Sequence, residues 1–241
     1  LRALRAHVPR ANASQLTHPD RPIRARTFFL VRIIGNDLYP RHKIGQSLEN
    51  LTYILKNEPT FEGCEKHWIL NRIVDAQMEK KIRDLLDKHH QRYSVIPYNG
   101  RHFASIGWDY SRLPSEDFLY GAGWDALSKV ERKRLLYGLH REQILYIMNN
   151  NGARNKALET GRTRAEWIMP WDGNCLLSAE GFDALRERAF RYPDAKYLIV
   201  PMRRISGFDR GTEKEASLAE RMPVDFLACL SLSIFLRFAA F

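Results

Sequence analysis

Asn149-Asn150-Asn151-Gly152-Ala153-Arg154-Asn155, with Ala157-Leu158 and Gly161 behind it, leads into Trp167-Ile168-Met169-Pro170-Trp171-Asp172-Gly173-Asn174. The first part reads as a short helix opened by a Gly-Ala-Arg-Asn turn. The second reads as a buried strand that stops abruptly on an acid. In an α/β protein the carboxyl ends of the strands are where ligands bind. A carboxylate in that position can hold a divalent metal against a phosphate. Taken alone, Asp172-Gly173-Asn174 reads first as an ordinary turn, because Asp-Gly and Gly-Asn are common turn pairs. The Ala-Arg-Asn segment upstream turns the reading toward a site.

Working outward, strands and helices alternate. Residues 27–34 (Thr-Phe-Phe-Leu-Val-Arg-Ile-Ile) form a β-rich apolar run that ends at Gly35-Asn36-Asp37, as a first parallel strand buried on both faces would. Ile44, Leu48, Leu51 and Leu55 then recur at helical spacing until Pro59 and Gly63 interrupt them. A second strand begins at residues 67–70, with Asn71-Arg72-Ile73-Val74-Asp75 at or beyond its end. Met78, Ile82, Leu85 and Leu86 mark a second amphipathic helix. Residues 93–97 make a short third strand, turned by Tyr98-Asn99-Gly100. The pattern weakens over residues 101–133, an insertion or long loop of the kind that often carries function. Leu136, Leu139, Gln143, Ile144 and Ile147 predict a third helix; a helix over 182–190 and a strand over 196–202 follow the Trp167 strand. The expected fold is α/β, a three-layer α/β/α arrangement around a mostly parallel central sheet.

The chain has 241 residues, 44% of them hydrophobic, enough for one domain with a sizeable core. It begins with Leu1, so a fragment or processed chain is expected. The formal net charge of +10 favours anionic partners such as nucleotide diphosphates, acidic glycans, lipid headgroups or nucleic acid. No recognition helix, zinc pattern or aromatic RNA-binding signature supports nucleic acid. Part of the charge is local: residues 1–26 carry six arginines against the single acid Asp20, and read as a flexible arm or linker. Cys64, Cys175 and Cys229 are odd in number and far apart, so neither a disulfide framework nor a zinc site is expected. A reducing, cytoplasmic setting is the default. Residues 226–236 are nearly all apolar, in an apolar C-terminal segment over 221–241. A buried helix or strand is favoured there over a tail docked on a membrane, because the run is too short to span one.

The order of features over residues 149–177 resembles the nucleotide-sugar glycosyltransferases of family 2. Their pattern is roughly G-x-A-x-A-R-N, a small-residue helix, an apolar strand and an Asp-x-Asp metal motif. Gly152, Arg154, Asn155, Ala157, Gly161 and Asp172 match in order, and Asn174 stands where the second acid belongs. The likeness extends weakly back to Phe28 and on to Met202. It implies a GT-A fold, the Rossmann-like architecture of nucleotide-diphospho-sugar transferases, over residues 27–220. It implies transfer of a sugar from a nucleotide-diphosphate donor to a glycan or glycoconjugate acceptor, inverting and dependent on Mn²⁺ or Mg²⁺, in polysaccharide biosynthesis. Carried over residue by residue, it puts Gly35, Asn36 and Asp37 beside the nucleotide. Asn71 and Asp75 would meet the base edge and ribose, and Arg154 would lie near the nucleotide. Asp172 and Asn174 would hold the metal. Asn71-Arg72-Ile73-Val74-Asp75 replaces the family's Asp-Asp-Gly-Ser, which leaves the nucleotide open. Asp75 serves equally as the cap of the next helix. An inverting enzyme also needs a general base; Asp209, Glu213, Glu215 and Asp225 are downstream acids in no recognisable motif, so none is assigned. The runner-up reading is a degenerate domain of the same fold that binds nucleotide or glycan without turnover.

Two expectations follow from the sequence. Asn36, Asp37, Asn71, Asp75, Asp172 and Asn174 should share one edge of the sheet. Deleting residues 1–26 should leave the melting temperature of the remainder within a few degrees of the full chain, because the arm has too little apolar surface to belong to a core. A large fall in that thermal melt would show that the arm packs on the domain.

Overall fold

A computed structural model describes residues 27–39, 42–200 and 233–237. The basic arm over 1–26, the four downstream acids and most of the apolar C-terminal segment lie outside the described residues.

The chain runs β1 (Phe28–Ile34), α1 (Gln46–Asn57), β2 (Cys64–Asn71), α2 (Ala76–Lys88), β3 (Tyr93–Ile96), α3 (Gly100–Ser105), α4 (Ala122–Asp125), α5 (Lys129–Leu139), α6 (Arg141–Met148), α7 (Asn150–Gly161), β4 (Trp167–Asp172), α8 (Ala179–Arg191), β5 (Tyr197–Val200) and β6 (Ser233–Arg237). The six strands form one sheet in the order β3-β2-β1-β4-β6-β5. β3, β2, β1 and β4 are mutually parallel, while β6 is antiparallel to both β4 and β5. The fold is therefore α/β with a mostly parallel sheet, as the alternation of elements predicts.

Each central strand is apolar on both faces, and the parity of its residues separates two cores. Phe28 and Leu30 of β1 join Trp167, Met169 and Trp171 of β4 and Phe182, Leu185 and Ala189 of α8. Ile34, two turns of pleat further along the same face, joins Trp68 and Leu70 of β2 with Leu51 and Ile54 of α1 and Ile82 and Leu86 of α2. The odd residues Phe29 and Val31 face the other way, with Ile69 and Ile168, and pack on Ala157 of α7. Helices thus lie on both faces of the sheet. The close approach of α7 depends on Gly161. A Cβ there would sit 2.8 Å from the Ile168 side chain and 2.8 Å from the Phe29 ring.

Several boundaries differ from the sequence reading. The second strand begins at Cys64 rather than at residue 67, since its first three residues are only half-buried and lack an apolar signature. The single third helix becomes two, α5 and α6, broken at His140. The 101–133 region is a string of short helices rather than a structureless loop. Gly152-Ala153-Arg154-Asn155 is not a turn but lies inside α7, which starts at Asn150. The turn is made three residues earlier by Asn149, in the left-handed region at φ 41°, which closes α6 and opens α7. Asn tolerates that conformation better than most side chains. At the far end, Ser233–Arg237 is a strand. No helix among the described residues is long and apolar enough to cross a membrane.

Gly161→Ala should destabilise the domain by about 1–3 kcal/mol through overpacking between α7 and the sheet, read as a lower urea midpoint at constant slope. An unchanged midpoint would mean that α7 can lift off the sheet at no cost.

Candidate functional site at the carboxyl edge of the sheet

From β1 the chain winds outward through β2 to β3, then returns to lay β4 on the opposite side of β1. The winding direction therefore reverses between β1 and β4, the place where open α/β sheets form a ligand crevice at the carboxyl ends of their strands. Gly35-Asn36-Asp37 leaves β1 on one side of this point, and Asp172-Gly173-Asn174 leaves β4 on the other. In register Ile33 lies beside Asp172 and Ile34 beside Leu70, so Asn71 comes level with Gly35. All six polar residues expected at one edge follow or end parallel strands at that edge.

Their side chains do different work. The Asn36 amide clamps β1 to the segment after β2: Nδ2 donates to the Arg72 carbonyl at 2.8 Å, and Oδ1 accepts from the Val74 N–H at 2.8 Å. The Asp37 carboxylate accepts from the Gly45 N–H at 2.7 Å, the Ser47 N–H at 2.9 Å and the Ser47 hydroxyl at 2.6 Å. It thereby caps α1, whose own N-cap residue, Gly45, has no side chain to offer. Asn71, 3% exposed, donates to the Met148 carbonyl and accepts from the Asn149 amide. It ties the α6–α7 junction to the end of β2. Asp75 Oδ1 accepts from the Gln77 and Met78 N–H groups and caps α2. Arg72 also turns inward. Its backbone is left-handed at φ 46°, and its guanidinium stacks 3.9 Å from the Tyr146 ring centre while donating to the Tyr146 carbonyl. Four of the residues proposed for the nucleotide thus have their side chains engaged in building the edge.

Of the residues expected at the site, Asp172, Asn174 and Arg154 remain open. Arg154 reaches from α7 and places Nη2 2.8 Å from Asp172 Oδ1; the two side chains are 40% and 52% exposed. Glu159, on the same helix as Arg154, pairs with Lys156. Gly173 lets the turn after β4 lie on β1: its N–H donates to the Ile33 carbonyl at 2.8 Å, and a Cβ would stand 2.8 Å from that same oxygen. Asn174 is exposed.

What holds this turn from below was not expected from the sequence. Arg32, 1% exposed, sits on β1 facing the α1 side of the sheet. Its Nε donates to the Cys175 carbonyl at 2.7 Å, and its Nη2 pairs with Glu58. Glu58, the residue that closes α1, also accepts from the Leu177 N–H at 3.0 Å and pairs with Lys66 at 2.8 Å. Burial pulls the Arg32 guanidinium down from its ordinary value, and the Glu58 charge opposes that pull. The signal was present in the sequence as one arginine inside an otherwise apolar strand. Burial pushes the Cys64 thiol up to about 12, so it is inert at neutral pH. Aromatic residues of the 101–133 region pack on neighbouring side chains, Trp108 on His140 and Tyr110, and Trp124 under Arg132.

Glu58→Leu should cost about 3–5 kcal/mol of stability, because it strands a buried guanidinium. Adding Arg32→Met should recover much of that loss. Denaturant unfolding of the single and double variants checks both. Additive losses would show that the two charges are not coupled.

No family model matches the chain, and neither a curated protein nor a solved structure matches it at a significant level.

Proposed function

We propose that the chain is a nucleotide-sugar-dependent glycosyltransferase domain of the GT-A type. The observation that carries this reading is the position of Arg154 and Asp172 at the point where the winding of the sheet reverses. A cationic fork and a carboxylate, both open to solvent, sit 2.8 Å apart at the carboxyl ends of β1 and β4. The strand order, with one antiparallel strand beside β4, is compatible with that fold.

The donor set suits a hard divalent cation, since Asp172 and Asn174 offer only oxygen for coordination. Among the described residues no group of three His, Cys, Asp or Glu side chains converges. Further ligands would therefore be oxygens of the diphosphate and water. Bound there, Mn²⁺ or Mg²⁺ would act as a Lewis acid toward the leaving diphosphate. The rest of the chemistry belongs to the chain. Arg154 has the planar donor fork that fits phosphate oxygens. The amino end of α7 points toward the same edge, and no side chain caps it, so its first N–H groups favour negative charge there. Gly173 and the buried Arg32–Glu58 pair fix the backbone on both sides of Asn174. The caps made by Asp37 and Asp75 position the loops that border the crevice.

Arg72 and Asn174, which stand where the family pattern has acids, favour one variation: a domain of this type that binds nucleotide or glycan without turnover. Transfer or hydrolysis of a labelled sugar separates the two.

Asp172→Ala should abolish Mn²⁺-dependent binding of nucleotide sugar in a panel screened with and without the metal. It should change stability by less than about 1 kcal/mol, the usual worth of an exposed ion pair. Asn174→Asp should keep or strengthen metal affinity by adding charge at a hard-cation site. Undiminished binding by the Ala variant would reduce Asp172-Gly173-Asn174 to a turn.

A further inference from the structure

We infer that Arg154 and the divalent cation are alternative partners of the Asp172 carboxylate. Arg154 holds the carboxylate while the site is empty, and turns to the diphosphate when the cation takes its place. Cation and diphosphate then bind cooperatively. The inference rests on the glycosyltransferase reading and deepens it.

The acids at this edge are not equivalent, and the difference singles out Asp172. Asp37 is held by three donors from the start of α1, and Asp75 by two backbone N–H groups of α2. Neither can release its partners without uncapping a helix. Among the described residues, the Asp172 carboxylate is held by one contact, on one oxygen, from a side chain on another element. For the Arg154 guanidinium, that contact is the one polar partner among the described residues. Arg72, by comparison, is stacked on Tyr146 and bonded to its carbonyl. Of the two, the Arg154 side chain is the one that can change partners, and an exposed ion pair is weak enough to be exchanged.

The charges explain the coupling. With Arg154 on Asp172 the pair is neutral, so a cation arriving alone must displace a guanidinium and then sit beside it. A diphosphate arriving alone must draw Arg154 from a carboxylate that stays behind as a like charge. When both arrive, each takes the partner that the other releases: Asp172 goes to the cation and Arg154 to the phosphates. Whatever the cation gains from the diphosphate, the diphosphate gains equally from the cation.

The test uses the full chain and calorimetry with Mn²⁺ alone, with UDP alone and with both, on the parent and on Arg154→Gln, Asp172→Asn and Lys156→Gln. Lys156 is exposed on the same helix and controls for general loss of positive charge. Arg154→Gln should bind Mn²⁺ alone about two- to fivefold more tightly than the parent, the range an exposed pair allows. Its gain in UDP affinity from Mn²⁺ should shrink by at least as much. Lys156→Gln should leave both quantities within experimental error. The guanidinium NMR signal of Arg154 should shift on adding Mg²⁺ alone. If Arg154→Gln leaves Mn²⁺ affinity unchanged, or shifts it no more than Lys156→Gln does, while Asp172→Asn abolishes binding, the exchange is wrong and the glycosyltransferase reading stands. If Asp172→Asn binds Mn²⁺ and UDP as the parent does, or the parent binds neither, both are overturned.

Discussion

The buried Arg32–Glu58 pair is the interaction on which the rest of this domain depends. A guanidinium inside an apolar strand is tolerated only with a partner, because an unpaired buried charge is too costly. Glu58 is that partner, and it also closes α1, accepts from the backbone of the segment after β4 and receives Lys66 of β2. Arg32 adds a bond to the Cys175 carbonyl and lies 5.4 Å from the Trp68 ring centre. One pair thus locks β1, the end of α1, β2 and the turn that carries Asp172-Gly173-Asn174. A purely apolar pair could fill that space with equal stability. It could not bond two backbone groups of the turn and so hold it in register with β1.

Above that anchor, the carboxyl edge is organised by amides and carboxylates that serve the backbone. Asn36 joins β1 to the exit of β2, Asn71 and Asn149 join β2 to the α6–α7 junction, and Asp37 and Asp75 cap the helices that leave the edge. Backbone polar groups at a buried edge need partners, and these side chains supply them. The cost is availability, since a side chain satisfied within the protein is not free to read a base or a ribose. The arrangement leaves Asp172, Asn174, Arg154 and the N–H groups at the start of α7 open at this edge.

Two close approaches set the geometry between anchor and edge. Gly161 lets α7 rest on Phe29 and Ile168, and Gly173 lets the turn after β4 rest on the Ile33 carbonyl. The first decides where Arg154 stands relative to the sheet, and the second decides where Asp172 ends. A methyl group at either position would move one partner of the ion pair without touching it.

The sequence by itself determined the α/β class, the order of the central elements and the edge on which the polar residues gather. These follow from local patterns: apolar runs of strand length, helical spacing between them, and Gly, Asn and Asp where runs stop. Parallel pairing then sends every strand's exit to the same side. The tertiary structure alone decided which polar residues are free. Whether Asp75 caps a helix or faces a ligand, whether Asn71 is buried against α6, and whether Arg154 pairs with Glu159 or Asp172 all turn on contacts between residues distant in the chain. Local propensity carries no information about such partners. The same holds for Arg32, whose meaning depends on Glu58, 26 positions away, and for Gly152-Ala153-Arg154-Asn155. There the left-handed Asn149, fastened to Asn71 across 78 positions, placed the turn three residues earlier than the local residues suggest.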